Sequence, residues 1–376
     1  MELVWIELSR DALVRNVTVL QEQLPEGCEL APCVKANAYG HGAHEVVSFL
    51  QEHGVKWLSL NSLREHASLQ EAGLSSPALI MGYVPAEETP RLLRLQARPF
   101  VYDWERVRAM SRYAEERQSK LPVHVMVDTG MTRLGVFPEE ARSFIEQLHE
   151  LPGIYVEGIA THFANSDERE NSSYFSQQLH TFEQVTAELE VHEICPPYIH
   201  CANSAVSLVQ TLKVSQKLVR PGLSLFGEYP SEEVKANSQK HGDALDPVLS
   251  LKTRIVSLKW VEAGAFVGYD CTFQTARRSR IAVLPMGYAD GFDRGLTNLG
   301  TVLVHGRRAP VVGRVSMNMT MIDVTDIEDV HIEDEVTVIG KEGEERITAG
   351  ELARLIETNP YEIFARLRPS LPKFWR

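Results

Sequence analysis

Lys35 follows the run Pro32-Cys33-Val34 and opens Ala36-Asn37-Ala38-Tyr39-Gly40-His41-Gly42, a stretch rich in small residues. A lysine stem leaving a buried strand is partly stripped of water, which favours the neutral amine and so nucleophilic amine chemistry. The plainer alternative is a lysine that snorkels its ammonium to the rim. Tyr39 could donate a hydroxyl hydrogen bond to an anion, and the small residues beside it let backbone and ligand approach closely. Far along the chain, Arg220-Pro221-Gly222-Leu223 sets a guanidinium beside a glycine whose exposed N–H can hold phosphate. Ser204 opens an expected helix over 204–210, where it would act as cap and could also donate to phosphate. His162, His200 and the segment from Asp128 to Arg133 complete the polar set. Taken alone, each histidine reads as a satisfied polar residue at a strand end.

The pattern of the chain explains why these residues belong together. Up to about residue 230, short apolar runs alternate with longer amphipathic ones. Strands are expected at 31–34, 57–60, 78–81, 99–102, 122–127, 154–160, 198–201 and 217–220. Helical spacing marks 44–53, 63–72, 106–117, 139–149 and 174–190. Eight such units point to an α/β fold, a (β/α)8 barrel of the TIM type, whose active residues gather at the carboxyl ends of the strands. Lys35 follows the first strand, Asp128 to Arg133 the fifth and His162 the sixth. His200 to Ser204 follow the seventh, and Arg220 to Leu223 the eighth. A doubly wound sheet competes, but no G-x-G-x-x-G follows the first strand.

Beyond about residue 244, β-branched runs at 248–260, 281–284, 301–304, 310–315, 320–324 and 335–339 are cut by Gly, Pro and Asp-rich turns, as in a separate β domain. The polar segment 229–246 reads as a linker, and only 349–358 looks helical again. With a net charge of −13, the 376-residue chain would repel nucleic acid and anionic membrane. The cluster Arg277-Arg278-Ser279-Arg280 is too short to reverse that and reads as a solvated turn. Five scattered cysteines without a C-x-x-C pair argue against a disulfide framework and a structural zinc site. No apolar run approaches the ~20 residues that span a bilayer. The N-terminus lacks a basic, then apolar, secretory pattern, so the cytoplasm is the expected compartment and a small molecule the expected partner.

Seven blocks together resemble the alanine racemase family of fold type III pyridoxal-phosphate enzymes. They are CVKANAYGHG (33–42), MVDTGMTRLG (126–135), ATHFANSDE (160–168), HCANSA (200–205), VRPGLSLFG (219–227), GYADG (287–291) and GRVSMNM (313–319). The resemblance runs from Trp5 to the last residue. It implies a barrel over 8–236, a mainly β domain over 237–376 with 1–7, and a homodimer with active sites shared between subunits. It makes Lys35 the residue that carries pyridoxal 5′-phosphate and the base on one face of the substrate. Tyr269, from the partner subunit, matches the base on the opposite face. Arg220 would bond the pyridine nitrogen with His200 behind it, and His162 would extend a polar chain toward Tyr269. Tyr39, Ser204, Gly222 and Leu223 would hold the phosphate, and Arg133 and the N–H of Met317 would take the substrate carboxylate; Tyr288, in a turn, would either line the entrance or simply pack. The implied activity is interconversion of L- and D-alanine, supplying D-alanine for peptidoglycan. Two bases on opposite faces achieve this without rotating the substrate.

Four positions depart from the family pattern. Met126 stands where many relatives carry a lysine that props the substrate-binding arginine, and Asn318 where an aspartate is usual. Asp270 replaces the glycine that commonly follows the tyrosine, and Pro369 a tyrosine that contacts phosphate and narrows the entrance. They leave open a serine or broad-specificity racemase. Remoter alternatives are a decarboxylase or D-amino acid aldolase on the same barrel and a non-catalytic pyridoxal-phosphate carrier. The β domain with its second base argues against the carrier.

Overall fold

The computed structural model describes residues 1–167, 173–209, 216–240 and 244–376. Two units emerge: 14–38 with 43–246, and 1–13 with 39–42 and 247–376.

In the first unit, apolar runs form a six-stranded parallel sheet in chain order: Leu58–Leu60, Ala78–Ile80, Ala97–Val101, Leu121–Met126, Ile154–Ala160 and Tyr198–His200. Glu29–Leu30 and Leu218–Val219 make a separate parallel pair. Single contacts tie that pair to both ends of the sheet. Cys33 bridges Ser59, and Lys217 N–H donates to the Ile199 carbonyl at 3.0 Å. The result is a curled parallel sheet around a core to which successive strand regions contribute Ala31, Trp57, Leu79, Phe100, Met126, Ala160 and Leu218. Parallel strands buried on both faces need such apolar runs.

The helices between strands follow the apolar spacing: Ala43–Glu52, Leu63–Glu71, Trp104–Glu115, Pro138–His149 and Ser173–Val191. Ser62 and Glu65 form a capping box on the second of these, and Asp103 accepts from Arg106 N–H at 2.7 Å on the third. Two further helices, Arg10–Glu22 and Thr89–Arg94, were not anticipated from the sequence. The expected linker 229–246 also needs correction, because Glu232–Lys240 is helical. Ser231 starts it, its hydroxyl accepting from Val234 N–H at 3.2 Å. Residues 241–243 of that segment lie outside the described residues.

The second unit is β-rich. Its seven-stranded sheet runs Arg307–Pro310, Thr301–Val304, Glu335–Glu342, Leu249–Arg254, Val4–Leu8 and Lys373–Trp375, with Glu345–Ile347 beside Glu335–Glu342. A three-stranded sheet holds Ser257–Val261, Ser279–Leu284 and Thr320–Asp323. The run 248–260 is therefore two strands, not one. The chain changes sheets where Ile255 N–H meets the Asp334 carbonyl and Val256 N–H meets that of Val283. The strand expected at 310–315 is also displaced: it ends at Pro310, and Val311 keeps one bridge to Ile322. The closing helix is two, Ala349–Leu355 and Pro360–Ala365, the second capped by Asn359 with proline in its first turn. Among the described residues no helix is long and apolar enough to cross a membrane.

Candidate active site

Lys35 is half-buried and sits beside the eighth-strand loop, because Cys33 N–H donates to the Pro221 carbonyl at 2.7 Å. The residues after it, Ala36 to Tyr39, all have φ between 52° and 57°. Left-handed helical backbone costs L-residues roughly 1–2 kcal/mol each, so this turn must be held from outside. Ala36 N–H donates to Glu65 Oε1 at 2.8 Å, and Asn37 Oδ1 accepts from Ala43 N–H at 2.9 Å. Glu65 thus caps a helix and pins the lysine turn at once. Tyr39 is buried, its ring centroid 5.8 Å from that of Tyr361. At Gly40 a Cβ would lie 2.3 Å from the Phe364 carbonyl oxygen, so glycine there is a packing requirement.

Arg220 is 5% exposed. Its guanidinium donates to His200 Nδ1, to the His200 carbonyl at 3.0 Å and to the Thr161 carbonyl at 2.8 Å. Burial lowers its pKa to about 10, which leaves it charged at neutral pH. His162 follows Thr161. Burial, and then the charges of Arg220, Arg133 and Lys35, bring its imidazole down to about 3, so it is neutral in working conditions. Three cations therefore act on one small region, which is suited to an anionic ligand.

The cap reading of Ser204 is corrected. Asn203 Oδ1 accepts from Ala205 and Val206 N–H and caps the helix Ser204–Val209. Ser204 Oγ instead accepts from Gly222 N–H at 2.8 Å and Ser224 N–H at 3.3 Å. Serine and backbone donors, with Leu223 between them, form one buried cluster. Gln210 of the expected helix and Glu168 of the sixth-strand block lie outside the described residues.

Arg133 is exposed on a built loop. Asp128 Oδ1 accepts from Gly130 and Thr132 N–H, both at 3.0 Å, and Val127 bridges Val136. Met126 packs into the apolar core and makes no support for Arg133.

Tyr269 and Met317 belong to the second unit and are 68% and 56% exposed. They line a cavity of about 780 Å³ with Tyr288, Arg294, Arg314 and Asp270. Asp270 takes φ 58°, which disfavours a non-glycine residue, and pairs with Arg314 Nε at 2.7 Å. The charge that Asp270 adds beside Tyr269 therefore has a partner. Asn318 lines the same cavity, and Pro369 is exposed, its carbonyl accepting from Lys373 Nζ at 2.9 Å. The structure thus gathers Lys35, Arg133, His162, His200, Ser204, Arg220, Gly222 and Leu223 in one unit and assigns Tyr39, Tyr269 and Met317 to the other.

Sequence reading missed His124 and Glu157, which continue the Arg220–His200 contact. The signal was present: each is a polar residue inside an apolar strand, Leu121–Met126 and Ile154–Ala160.

Two family models match the chain: "Alanine racemase, N-terminal domain" over residues 8–230 and "Alanine racemase, C-terminal domain" over 248–375. An alanine racemase of Halothermothrix orenii is 40% identical over 99% of this chain and 96% of its own. One from Methanococcus maripaludis is 38% identical over 99% and 98%. The solved structure of alanine racemase from Bacillus anthracis with bound L-Ala-P superposes with TM-score 0.92 at 33% identity, covering 100% of this chain and 95% of that one.

Proposed function

The chain belongs to the alanine racemase family, and on that premise we propose how its two units divide the reaction. It interconverts L- and D-alanine, the step that supplies D-alanine for peptidoglycan. Pyridoxal 5′-phosphate is the cofactor we assign. The first unit fits it: a half-buried primary amine at Lys35, a buried guanidinium at Arg220, and the N–H donors of Gly222 and Ser224 beside Ser204. The bound cofactor supplies an electron sink for the carbanion left when the α-proton departs.

The remaining chemistry falls to the chain's own residues. Lys35 anchors the cofactor and moves the α-proton on one face, while the phenol of Tyr269 serves the other. Arg220 would donate to the ring nitrogen and, because a guanidinium holds its proton, would not pass it on. His162 is the neutral polar link toward Tyr269. Tyr39, Ser204, Gly222 and Leu223 hold the phosphate, and Arg133 with Met317 N–H takes the substrate carboxylate. Tyr269 and Met317 reach the site from a partner subunit, a reading supported by their exposure. The end-to-end ties of the parallel sheet support its closure as an eight-stranded (β/α)8 barrel. Five free cysteines fit a reducing compartment such as the cytoplasm.

The observation that carries the cofactor and residue assignments is that Cys33 N–H, bonded to the Pro221 carbonyl at 2.7 Å, sets Lys35 beside the loop that holds the buried Arg220 and the Ser204–Gly222 contact. The test is D-alanine formation from L-alanine with added pyridoxal phosphate. Wild type is active and Lys35→Ala inactive; full activity in Lys35→Ala overturns the assignment. Pro369, standing where relatives carry a tyrosine that narrows the entrance, motivates a second reading, a substrate range that admits serine. D-serine formation in the same assay decides it.

A further inference from the structure

Arg220 is the first member of a longer chain of contacts. His200 Nε2 lies 2.7 Å from His124 Nδ1, and His124 Nε2 lies 3.2 Å from Glu157 Oε2. Arg98 Nε closes the far end, 3.0 Å from the same carboxylate oxygen. Both imidazoles are fully buried.

The donor directions follow from the ends. A guanidinium only donates, so His200 Nδ1 must offer its lone pair to Arg220. His200 then carries its proton on Nε2 and donates to His124 Nδ1. His124 in turn carries its proton on Nε2 and donates to Glu157, which as a carboxylate only accepts. Every bond points from Arg220 toward Glu157. Burial disfavours the cationic form of both histidines; the charge of Arg220 adds to this for His200, and for His124 burial outweighs the opposing hydrogen bond and charge of Glu157. Burial alone would raise the Glu157 pKa, but hydrogen bonds from His124 and Arg98 outweigh it and keep the group a carboxylate.

The fold is shaped around this chain. Pairing of Leu121–Met126 with Ile154–Ala160 runs Val123 to Val156 and then His124 to Gly158, so Glu157 is the extra residue of a β-bulge. Bulges re-aim a side chain, here that of Glu157 onto His124. At Gly158 a Cβ would stand 2.3 Å from His124 Nδ1, so only glycine leaves room for the ring. Phe100 flanks both imidazoles, at 6.4 Å and 5.8 Å between centroids.

We propose that Glu157 and His124 are positioning residues that lock His200 as the neutral Nε2–H tautomer, and thereby fix the guanidinium of Arg220 with its remaining N–H donors turned to the cofactor. The last clause rests on the assignment of Arg220 to the cofactor ring.

The test is 15N NMR of histidine-labelled holoenzyme at pH 7, with signals assigned by their loss in His200→Asn and His124→Asn. Both imidazoles are expected neutral with the proton on Nε2. Glu157→Gln keeps an acceptor and should keep both tautomers. Glu157→Leu removes it; His124 should then populate both tautomers, its Nδ1–H form opposing His200 Nε2–H and loosening the contact with Arg220, with kcat falling on the order of tenfold and KM for alanine changing far less. Finding either wild-type imidazole protonated on Nδ1 overturns the proposal even if Glu157→Leu does not fold. So does a Glu157→Leu enzyme with wild-type tautomers and kcat. An unchanged cofactor absorption spectrum in Arg220→Ala would instead remove the ring assignment and leave the tautomer result standing.

Discussion

Arg220 and Tyr269 would face the same substrate from opposite surroundings. Arg220 is 5% exposed, with three hydrogen bonds to fixed acceptors in a parallel-sheet core. Tyr269 is 68% exposed on a short turn of the β-rich unit, and its neighbour Asp270 rests on one ion pair. The buried region is preorganised within one chain; the exposed one is a surface that a second chain would complete. On the proposed assignments, orientation of the cofactor would be built into the fold, whereas the second base would depend on assembly.

Substitutions should separate the two regions by their effect on stability as well as on rate. On the proposed roles, Lys35→Ala would remove anchor and base together and should lower racemisation beyond the ~10⁴-fold upper range of a single acid–base group, measured as D-alanine formation. Tyr269→Phe should cost ~10²–10⁴-fold in kcat while the melting temperature stays put, because an exposed hydroxyl contributes little to folding. A lower melting temperature would break the comparison. Arg220→Ala should do both kinds of damage. It leaves three acceptors buried, at about 1–3 kcal/mol each, and should cost on the order of 10²-fold in rate.

His162 sharpens the comparison through pH. Its folded pKa of about 3 lies below the unfolded value, so between the two the unfolded chain binds the extra proton. Its contribution is constant above about pH 6.5 and turns against folding as pH falls toward 3, at up to roughly 1.4 kcal/mol per unit. Urea melts of His162→Asn across pH 4 to 7 should show a shallower slope than wild type. Asp270→Gly is the smallest change expected. It relieves a left-handed residue, worth roughly 1–2 kcal/mol, and loses an exposed ion pair of about 0–1 kcal/mol, effects that oppose each other. Its melting temperature should stay near wild type.

What the sequence revealed follows the same division. Strand order and the residues after each strand were legible because buried parallel strands read as apolar runs and their ends carry the polar residues. The short strand Glu29–Leu30 was harder: most of the contacts of 31–34 are single bonds to neighbours rather than a ladder. Helix Glu232–Lys240 was hidden by its polar composition, since one serine cap and a few buried residues sustain it. Among the candidate residues, the placement of Lys35 and Arg220 just after strand regions was legible from sequence context. The role of Ser204 did not, because its partners Gly222 and Ser224 are distant in sequence. Glu157 was visible as a charge inside an apolar strand, but its partner was not, because a bulge obeys no alternation.

The dependence on assembly can be measured by mixing. Lys35→Ala and Tyr269→Phe proteins are unfolded together, refolded and assayed for D-alanine. If Tyr269 serves its partner's site, half the dimers are mixed and each holds one intact site, so activity should return to about a quarter of wild type. If the mixture shows no more activity than the two variants assayed apart, Lys35 and Tyr269 act within one chain and the account fails.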